Sequence, residues 1–520
     1  MAPTSLENTM RRSLVAATAA SVLLLTAACG GSSDGGSGFG GNSDSLTLAA
    51  ITPPSSFAIG EMASSGPEDH YYQAVYDKLL NLDADGEPVA NLVTDWSYDE
   101  TGTRLSLTLR DDVTFTDGTK FDADAVKANL ELAKTKTGEA GSALRAVDSV
   151  EVVDLTHADV VLSRPDPSVP QALARSSGYM ASPKALGSAD LATNPVGSGP
   201  YVLDQDASTP GSTYVYSRNE DYWNADEYPY DSLEIRFLDD NTATLNGLRS
   251  GELDGIAATT TDLVSGAKQA NLEVTTYTNG GIEGLYLWDC DGALVPALAD
   301  VRVRQAINYA MDRDTIVDVV KGGLGQPTEQ LFGPSSPAYD ESLDGTYDFD
   351  LDKAKKLMAD AGYADGFTMS MPDASPVFPD EQAALTEALA SINIKVDYQP
   401  ITGDQFVGSI ISGQWPGNYF NLTAGSPFEM IGLVLTQQSP FNPFKTSDPQ
   451  VDELLGQAAS TTGDEQAAAL QKLNAYLVDQ AWFAPWDAAE GAYVTGKGIK
   501  VDPVQGLSVP PLANLDPSGS

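Results

Sequence analysis

Ser13 to Ala28 is an uncharged run of 16 residues that carries Leu-Leu-Leu at 23–25 and follows a basic pair, Arg11-Arg12. As a helix at about 1.5 Å per residue it reaches roughly 24 Å, short of the roughly 30 Å hydrocarbon core of a bilayer. Residues 1–28 therefore read as a signal peptide rather than a permanent span. Met10, directly before the two arginines, offers a second start point, and the residues around the pair fit a twin-arginine signal poorly. No later segment holds eighteen consecutive apolar residues, so no other helix is expected to cross a membrane.

The run closes in Leu25-Thr26-Ala27-Ala28-Cys29-Gly30. Small residues before a Cys resemble a lipobox, which marks Cys29 for acylation and for cleavage on its N-terminal side. Thr26 stands where that motif ordinarily has an aliphatic residue, with Leu25 one place further out. Residues 29–45 are then a lipidated Cys and a tether of Gly, Ser, Asn and Asp that cannot bury enough to order itself. The only other cysteine, Cys290, has no partner for an internal disulfide and reads as a small buried residue.

The 520 residues are too many for one core and enough for two lobes. Against 73 acidic side chains stand 29 basic ones, a formal charge of −44 that repels phosphate backbones, so no nucleic-acid partner is expected. With 2 His and 2 Cys, soft metal ligands are scarce; neither a metal site nor a cofactor is expected.

Strand and helix patterns mix from Leu46 onward. Leu46–Ala49, Leu105–Arg110 and Asn393–Gln399 read as strands. Tyr72–Leu80, Ala123–Leu132 behind an Asp122 cap, Arg302–Val320, Leu351–Ala361 between Asp350 and Gly362, and Glu465–Gln480 read as helices. Arg302, Arg304 and Arg313 are expected to pair with acidic neighbours. Asp117-Gly118-Thr119 predicts a tight turn, and Gly197 and Gly199 a close backbone crossing.

A search for catalytic chemistry finds no Gly-x-Ser-x-Gly, no His-Glu-x-x-His and no phosphate loop. His70 and His157 read as surface or capping residues. Asp348-Phe-Asp350-Leu-Asp352 looks like a calcium loop, but Lys353 replaces the required Gly and Ala359 the required Glu. An acidic turn feeding a helix is the better reading. A carboxylate pair of glycosidase type is left open by so many acids.

Several segments speak together. Leu79–Gly86 (LLNLDADG), Pro88–Trp96 (PVANLVTDW) and Leu109–Val126 are followed by Asn194–Tyr201 (NPVGSGPY), Arg218–Trp223 (RNEDYW) and Leu248–Asp254 (LRSGELD). Val301–Arg313 (VRVRQAINYAMDR) and Ala354–Tyr363 (AKKLMADAGY) with Gly366-Phe367 complete the series. In this order they resemble the family 5 solute-binding proteins of ABC importers, the dipeptide, oligopeptide and nickel-binding group. The resemblance implies an α/β fold: a large two-lobed periplasmic-binding-protein-like clamshell of type II with an inserted subdomain in the first lobe. It places lobe 1 at 46–78, 190–285 and 491–520, the subdomain at 79–189 and lobe 2 at 286–490. Crossings would fall near Gly280-Gly281 and Glu490-Gly491.

The function implied is capture of a small solute, a short peptide first, outside the membrane and delivery to an ABC permease, without enzyme activity. An oligosaccharide or a metallophore is the alternative ligand, and a secreted cell-surface hydrolase the alternative class. A monomer held to the membrane by lipid is expected. In peptide binders of this kind a Trp followed by an Asp-containing turn meets the peptide amine. Trp415 is present here, but Asn418 stands in the expected place of the acid, beside Tyr419. Asp289, after Tyr286 and Trp288, is the candidate counter-charge. The lipobox reading predicts that Cys29→Ala moves the protein from the membrane to the soluble fraction; membrane association unchanged by that substitution would refute it.

Overall fold

The computed structural model describes residues 45–63, 65–136, 138–258, 260–376, 378–401 and 406–517. Cys29 and the leader lie outside them. Nine strands form the central sheet: β1 (Ser45–Ala50), β2 (Tyr201–Thr209), β3 (Thr213–Arg218), β4 (Ser232–Phe237), β5 (Gly255–Ala258), β6 (Glu273–Leu287), β7 (Gly325–Pro327), β8 (Gly417–Thr423) and β9 (Phe483–Thr495). Their spatial order is β8-β6-β9-β5-β1-β4-β3-β2, with β7 added to β9. β1 lies parallel to β4 and β5, and the other pairs are antiparallel. In β1, Leu46 and Leu48 point into the core at 2% and 0% exposure, the alternation expected of a strand with two unlike faces.

β6 and β9, with 15 and 13 residues, pass between separate cores. One core gathers side chains from Leu46 to Ile235 with Tyr277, Tyr493 and the C-terminal Leu512 and Leu515. A second runs from Ile282 to Ala488. A smaller third packs Leu248, Leu263 and Val264 against Ala492 and Val494. Between the cores the β6–β9 register shifts twice, at Thr278/Ile282 and at Glu283/Gly284.

A second, four-stranded antiparallel sheet runs in the order Val93–Tyr98, Arg104–Leu109, His157–Leu162, Val147–Asp154. The helix Ala123–Ala133 begins where Asp122 accepts from the Ala125 amide at 3.0 Å, the cap that the sequence announces. Asp350 does the same for Lys353 at 2.9 Å, so this aspartate of the calcium-like run caps the helix Leu351–Asp360.

Two helix expectations are corrected. The first helix is Asp69–Val75, and Leu80 already lies in a strand. The carbonyl of Val75 accepts from the Gly199 amide at 3.1 Å rather than from a further helical turn. The span Arg302–Val320 is broken: the helix Val301–Tyr309 stops, and Asp312 caps a new start by accepting from Thr315 at 3.1 Å, before a π-turn at Ile316–Val320. The break lets Arg313 reach the carbonyls of Asn308, Thr328, Tyr347 and Pro485. Of the three arginines, only Arg302 pairs with an acid, Asp300 at 2.5 Å. Arg304 binds the carbonyls of Leu298 and Gln480. Burial draws the Arg313 guanidinium down to about 10. His70 is likewise interior, with Nε2 2.9 Å from the Pro510 carbonyl oxygen, whereas His157 is exposed beside Asp154.

The close crossing at Gly197 and Gly199 is present. A Cβ on Gly197 would stand 1.9 Å from the Val75 oxygen, and one on Gly199 2.5 Å from the Val75 carbonyl carbon. Both obstacles are backbone and cannot rotate away. Gly197→Ala is therefore expected to cost about 3 kcal/mol or more, at the upper end of overpacking substitutions. Gly456, on an exposed helical face with nothing within 4 Å, is the control. Its replacement by Ala should gain about 0.5–1 kcal/mol. Denaturant titration of both variants checks the pair.

A charged cleft as the candidate functional site

Between walls drawn from the first and second cores lies a cavity of about 990 Å³. One wall carries Asp69, Lys78, Glu139, Arg175 and Tyr179, and the other Leu422, Phe428, Glu429 and Leu433. Local structure sets each charge. Asp69 opens the first helix, its carboxylate accepting from the Gly66 amide at 2.9 Å. Lys78 lies just beyond that helix, on extended chain bridged to Tyr179, whose ring centre is 5.9 Å from Nζ. Arg175 sits between the short helix Val169–Leu173 and the turn Ser176–Gly178. Glu429 is in the first turn of the helix Pro427–Val434, capped by Ser426, and accepts from the Gly425 amide at 2.6 Å.

These charges are held apart. Among the described residues Asp69, Lys78, Glu139, Arg175 and Glu429 share no ion pair. Nε and Nη2 of Arg175 are buried and have no hydrogen-bond partner. The guanidinium packs against Gly425, where a Cβ would meet Nε at 2.3 Å. Burial draws the Lys78 ammonium down to about 8 although Asp69 opposes the shift. Burial raises the Glu139 carboxyl, with Asp69 and Glu429 adding to the rise and Ser65 and Arg175 opposing it. A buried donor without a partner costs about 1–3 kcal/mol, more for a charged group, so these atoms favour an incoming anion.

A second cavity of about 400 Å³ adjoins the first and shares Pro167, Gly425 and Phe428 with it. Trp96, Phe332, Pro334 and Met430 are among its lining residues. Gln171 joins the two walls here: its Nε2 donates to the carbonyls of Gly86 and Gly425, both at 2.8 Å.

The residues singled out from sequence lie elsewhere. None of Tyr286, Trp288, Asp289, Trp415, Asn418 and Tyr419 lines either cavity of the cleft. Trp288 stacks on Tyr286 at 5.2 Å and donates Nε1–H to Asn418 Oδ1 at 2.5 Å. The Tyr286 hydroxyl donates to the Ile282 carbonyl at 2.9 Å. Tyr419 stacks on Trp486 and gives its hydroxyl to Glu283. Trp415 is 8% exposed. Asp289 is fully buried and accepts from the amides of Ala293, Leu294 and Val295 at 2.6–2.8 Å. Its carboxylate already holds three donors, which leaves the ammonium role without support. The chain meets the cleft further on, from Leu422 to Leu433, after β8 has carried Tyr419 through the core. Arg175 and Glu429 fall in no periodic or motif signal, and Lys78 lies in the Tyr72–Leu80 helical pattern, which does not mark it for a cleft. Cys290 is buried as expected, and burial pushes its thiol up to about 12.

Residues 87–438 match the model of the bacterial extracellular solute-binding proteins, family 5 Middle. The chain belongs to this family. The glutathione-binding protein GsiB of Salmonella paratyphi A is 29% identical over 304 residues, 58% of each chain. GsiB of Shigella dysenteriae is 25% identical over 439 residues, 80% of this chain and 82% of that one. This family 5 chain thus spans 58% of the length of the Salmonella relative. Among solved structures, HbpA2 of Haemophilus parasuis superposes with a TM-score of 0.79 at 20% identity, over 91% of this chain and 100% of the other. DppA of Helicobacter pylori in complex with the peptide STSA gives 0.73 at 20% identity, over 91% and 98%. The fold is the two-lobed periplasmic-binding fold of type II, as the sequence resemblance implies.

For this family 5 protein, core and cleft residues should separate by stability. Trp288→Ala is expected to lower unfolding free energy by about 3–5 kcal/mol, the usual range for truncating a buried aromatic. Arg175→Ala should change it by less than about 1 kcal/mol, because two buried donors without partners disappear with the side chain. Equal losses in denaturant titration would refute the assignment of Arg175 to a ligand cleft.

Proposed function

We propose that this chain captures a short peptide or peptide-like solute in the cleft between its lobes and delivers it to an ABC permease, without chemical turnover. The observation that carries the reading is the set of unpaired charges of both signs in one cavity of about 990 Å³, a volume suited to small ligands. Arg175 and Lys78 take a carboxylate, and Asp69, Glu139 and Glu429 surround an ammonium. A neutral sugar would leave these charges unsatisfied. The names of relatives, glutathione-binding and peptide-complexed, support the same ligand class.

We assign lobe 1 to residues 46–78, 190–285 and 491–520, its subdomain to 79–189 and lobe 2 to 286–490. The change of core between Ala488 and Ala492 on β9 supports the limit at 490/491, while on β6 the change falls between Tyr277 and Ile282, at the Gly280-Gly281 crossing and a few residues before 285. The lobes close by bending there. Diacylated Cys29 keeps the monomer near its permease; a single acyl chain would bind only marginally.

Calorimetry with peptides bearing free, amidated or N-acetylated ends tests the ligand class. Free peptides should bind, amidated ones should lose at least tenfold, and Arg175→Ala should lose roughly thirtyfold or more, equivalent to about 2 kcal/mol for a lost charge-assisted bond. The lysine value fixes the pH dependence. Lys78 is cationic below about 8 and neutral above, so affinity should fall as pH rises through that value. Equal affinity for free and amidated peptides, or hydrolysis of the peptide, would overturn the proposal.

A further inference from the structure

Glu283 on β6 and Asp487 on β9 are register partners at the second of the two slips in the β6–β9 ladder. Both are fully buried. Lys321, directly after the π-turn Ile316–Val320, holds Nζ 2.8 Å from Glu283 and 3.5 Å from Glu381 on the helix Pro379–Ser391. Tyr419 on β8 gives its hydroxyl to Glu283 as well. Asp487 has none of this support: neither carboxylate oxygen has a hydrogen-bond partner. Gly325 of β7 closes over it, so near that a Cβ would stand 2.2 Å from Oδ2.

The surrounding charges leave Asp487 without a counter-ion. Glu283, Glu381 and Glu490 are the acids whose fields reach it, Lys321 is the one cation among the described residues that does so, and Tyr286 and Tyr419 complete the titratable neighbours. Lys321 is already bonded to Glu283. A second carboxylate facing Glu283, dry and without a donor, is the arrangement that low dielectric disfavours most. We propose that Asp487 keeps its proton at neutral pH, and that its neutral carboxyl opposite the Glu283–Lys321 pair makes a proton-dependent clasp of the two strands that tie the cores together, by absence of repulsion rather than by a bond to either. Loss of the proton sets two carboxylates against each other across the ladder, admits water between β6 and β9, and loosens the connection on which lobe movement turns.

Burial raises the Asp487 carboxyl to about 8, with Glu283 adding to the rise and Lys321 opposing it. The sign follows by linkage. A carboxyl raised in the folded state binds a proton there that the unfolded chain has released. Its contribution is intact below the ordinary carboxylate value of about 3.9 and is lost as pH rises through the folded value. This runs opposite to a salt-bridged acid.

The test needs no ligand, so its failure is distinguishable from failure of the peptide reading. Infrared spectra of the ligand-free chain should show a protonated carboxyl band at about pH 6 that vanishes by about pH 10, while the thermal midpoint falls over the same interval. In Asp487→Asn that band should be lost and the fall of the midpoint across the interval should disappear. Lys321→Met, which removes the one opposing cation among the described residues, should move the band's midpoint to higher pH and guards against poor folding of the first variant. Absence of the band from the wild-type chain at about pH 6, an unchanged band in Asp487→Asn, or an unmoved transition in Lys321→Met would overturn the proposal.

Discussion

The antiparallel pairing of β6 with β9 is the constraint on which the remaining structure depends. Each strand starts in one core and ends in another, so the ladder between them is at once the spine of the sheet and the bridge between cores. A continuous ladder would fix both cores rigidly, because each backbone donor and acceptor must be matched. The two slips interrupt it where Gly280 and Gly284 take φ of +79° and +153°, values open chiefly to glycine. The irregularity thus lies at the crossing, where a hinge between the two cores would have to bend.

The cleft and the clasp show two uses of charge. In the cleft, Arg175 and Lys78 are kept away from Asp69, Glu139 and Glu429 by Gly425, Tyr179 and serine donors, so none is neutralised internally. Such charges are costly in the empty protein and become favourable when a ligand of matching charge displaces water. In the clasp, Lys321 neutralises Glu283 directly, and the residual acid has no counter-ion. The chain's acidity, −44 overall, makes the four cations that line the cleft, Lys78, Arg145, Arg164 and Arg175, stand out against their surroundings.

Several local features were legible because they depend on neighbours in sequence. Asp122 and Asp350 cap their helices, Asp117 Oδ1 accepts from Thr119 at 2.9 Å in a turn where Gly118 has φ +79°, and Leu105, Leu107 and Leu109 bury one strand face. The order of motifs carried the family and, with it, the type II fold. The periodicity over Arg302–Val320 does not show the break, because Asp312 serves as a cap only once Arg313 is drawn to carbonyls far along the chain.

The sequence by itself determined the mixed α/β class, the family, the capped helices and the glycines at the Val75 crossing. Each rests on short-range geometry or on an ordered set of motifs. Only the tertiary structure decided which polar residues face the cleft. Trp288 and Tyr419 carry the aromatic chemistry of a binding site, yet their strands and loops turn them into the second core, and Trp415 is buried as well. Lys78, Arg175 and Glu429 are single charges in unremarkable local sequence. They meet because distant segments, separated by hundreds of residues, are brought to opposite walls of one cavity by a sheet whose strand order does not follow the chain.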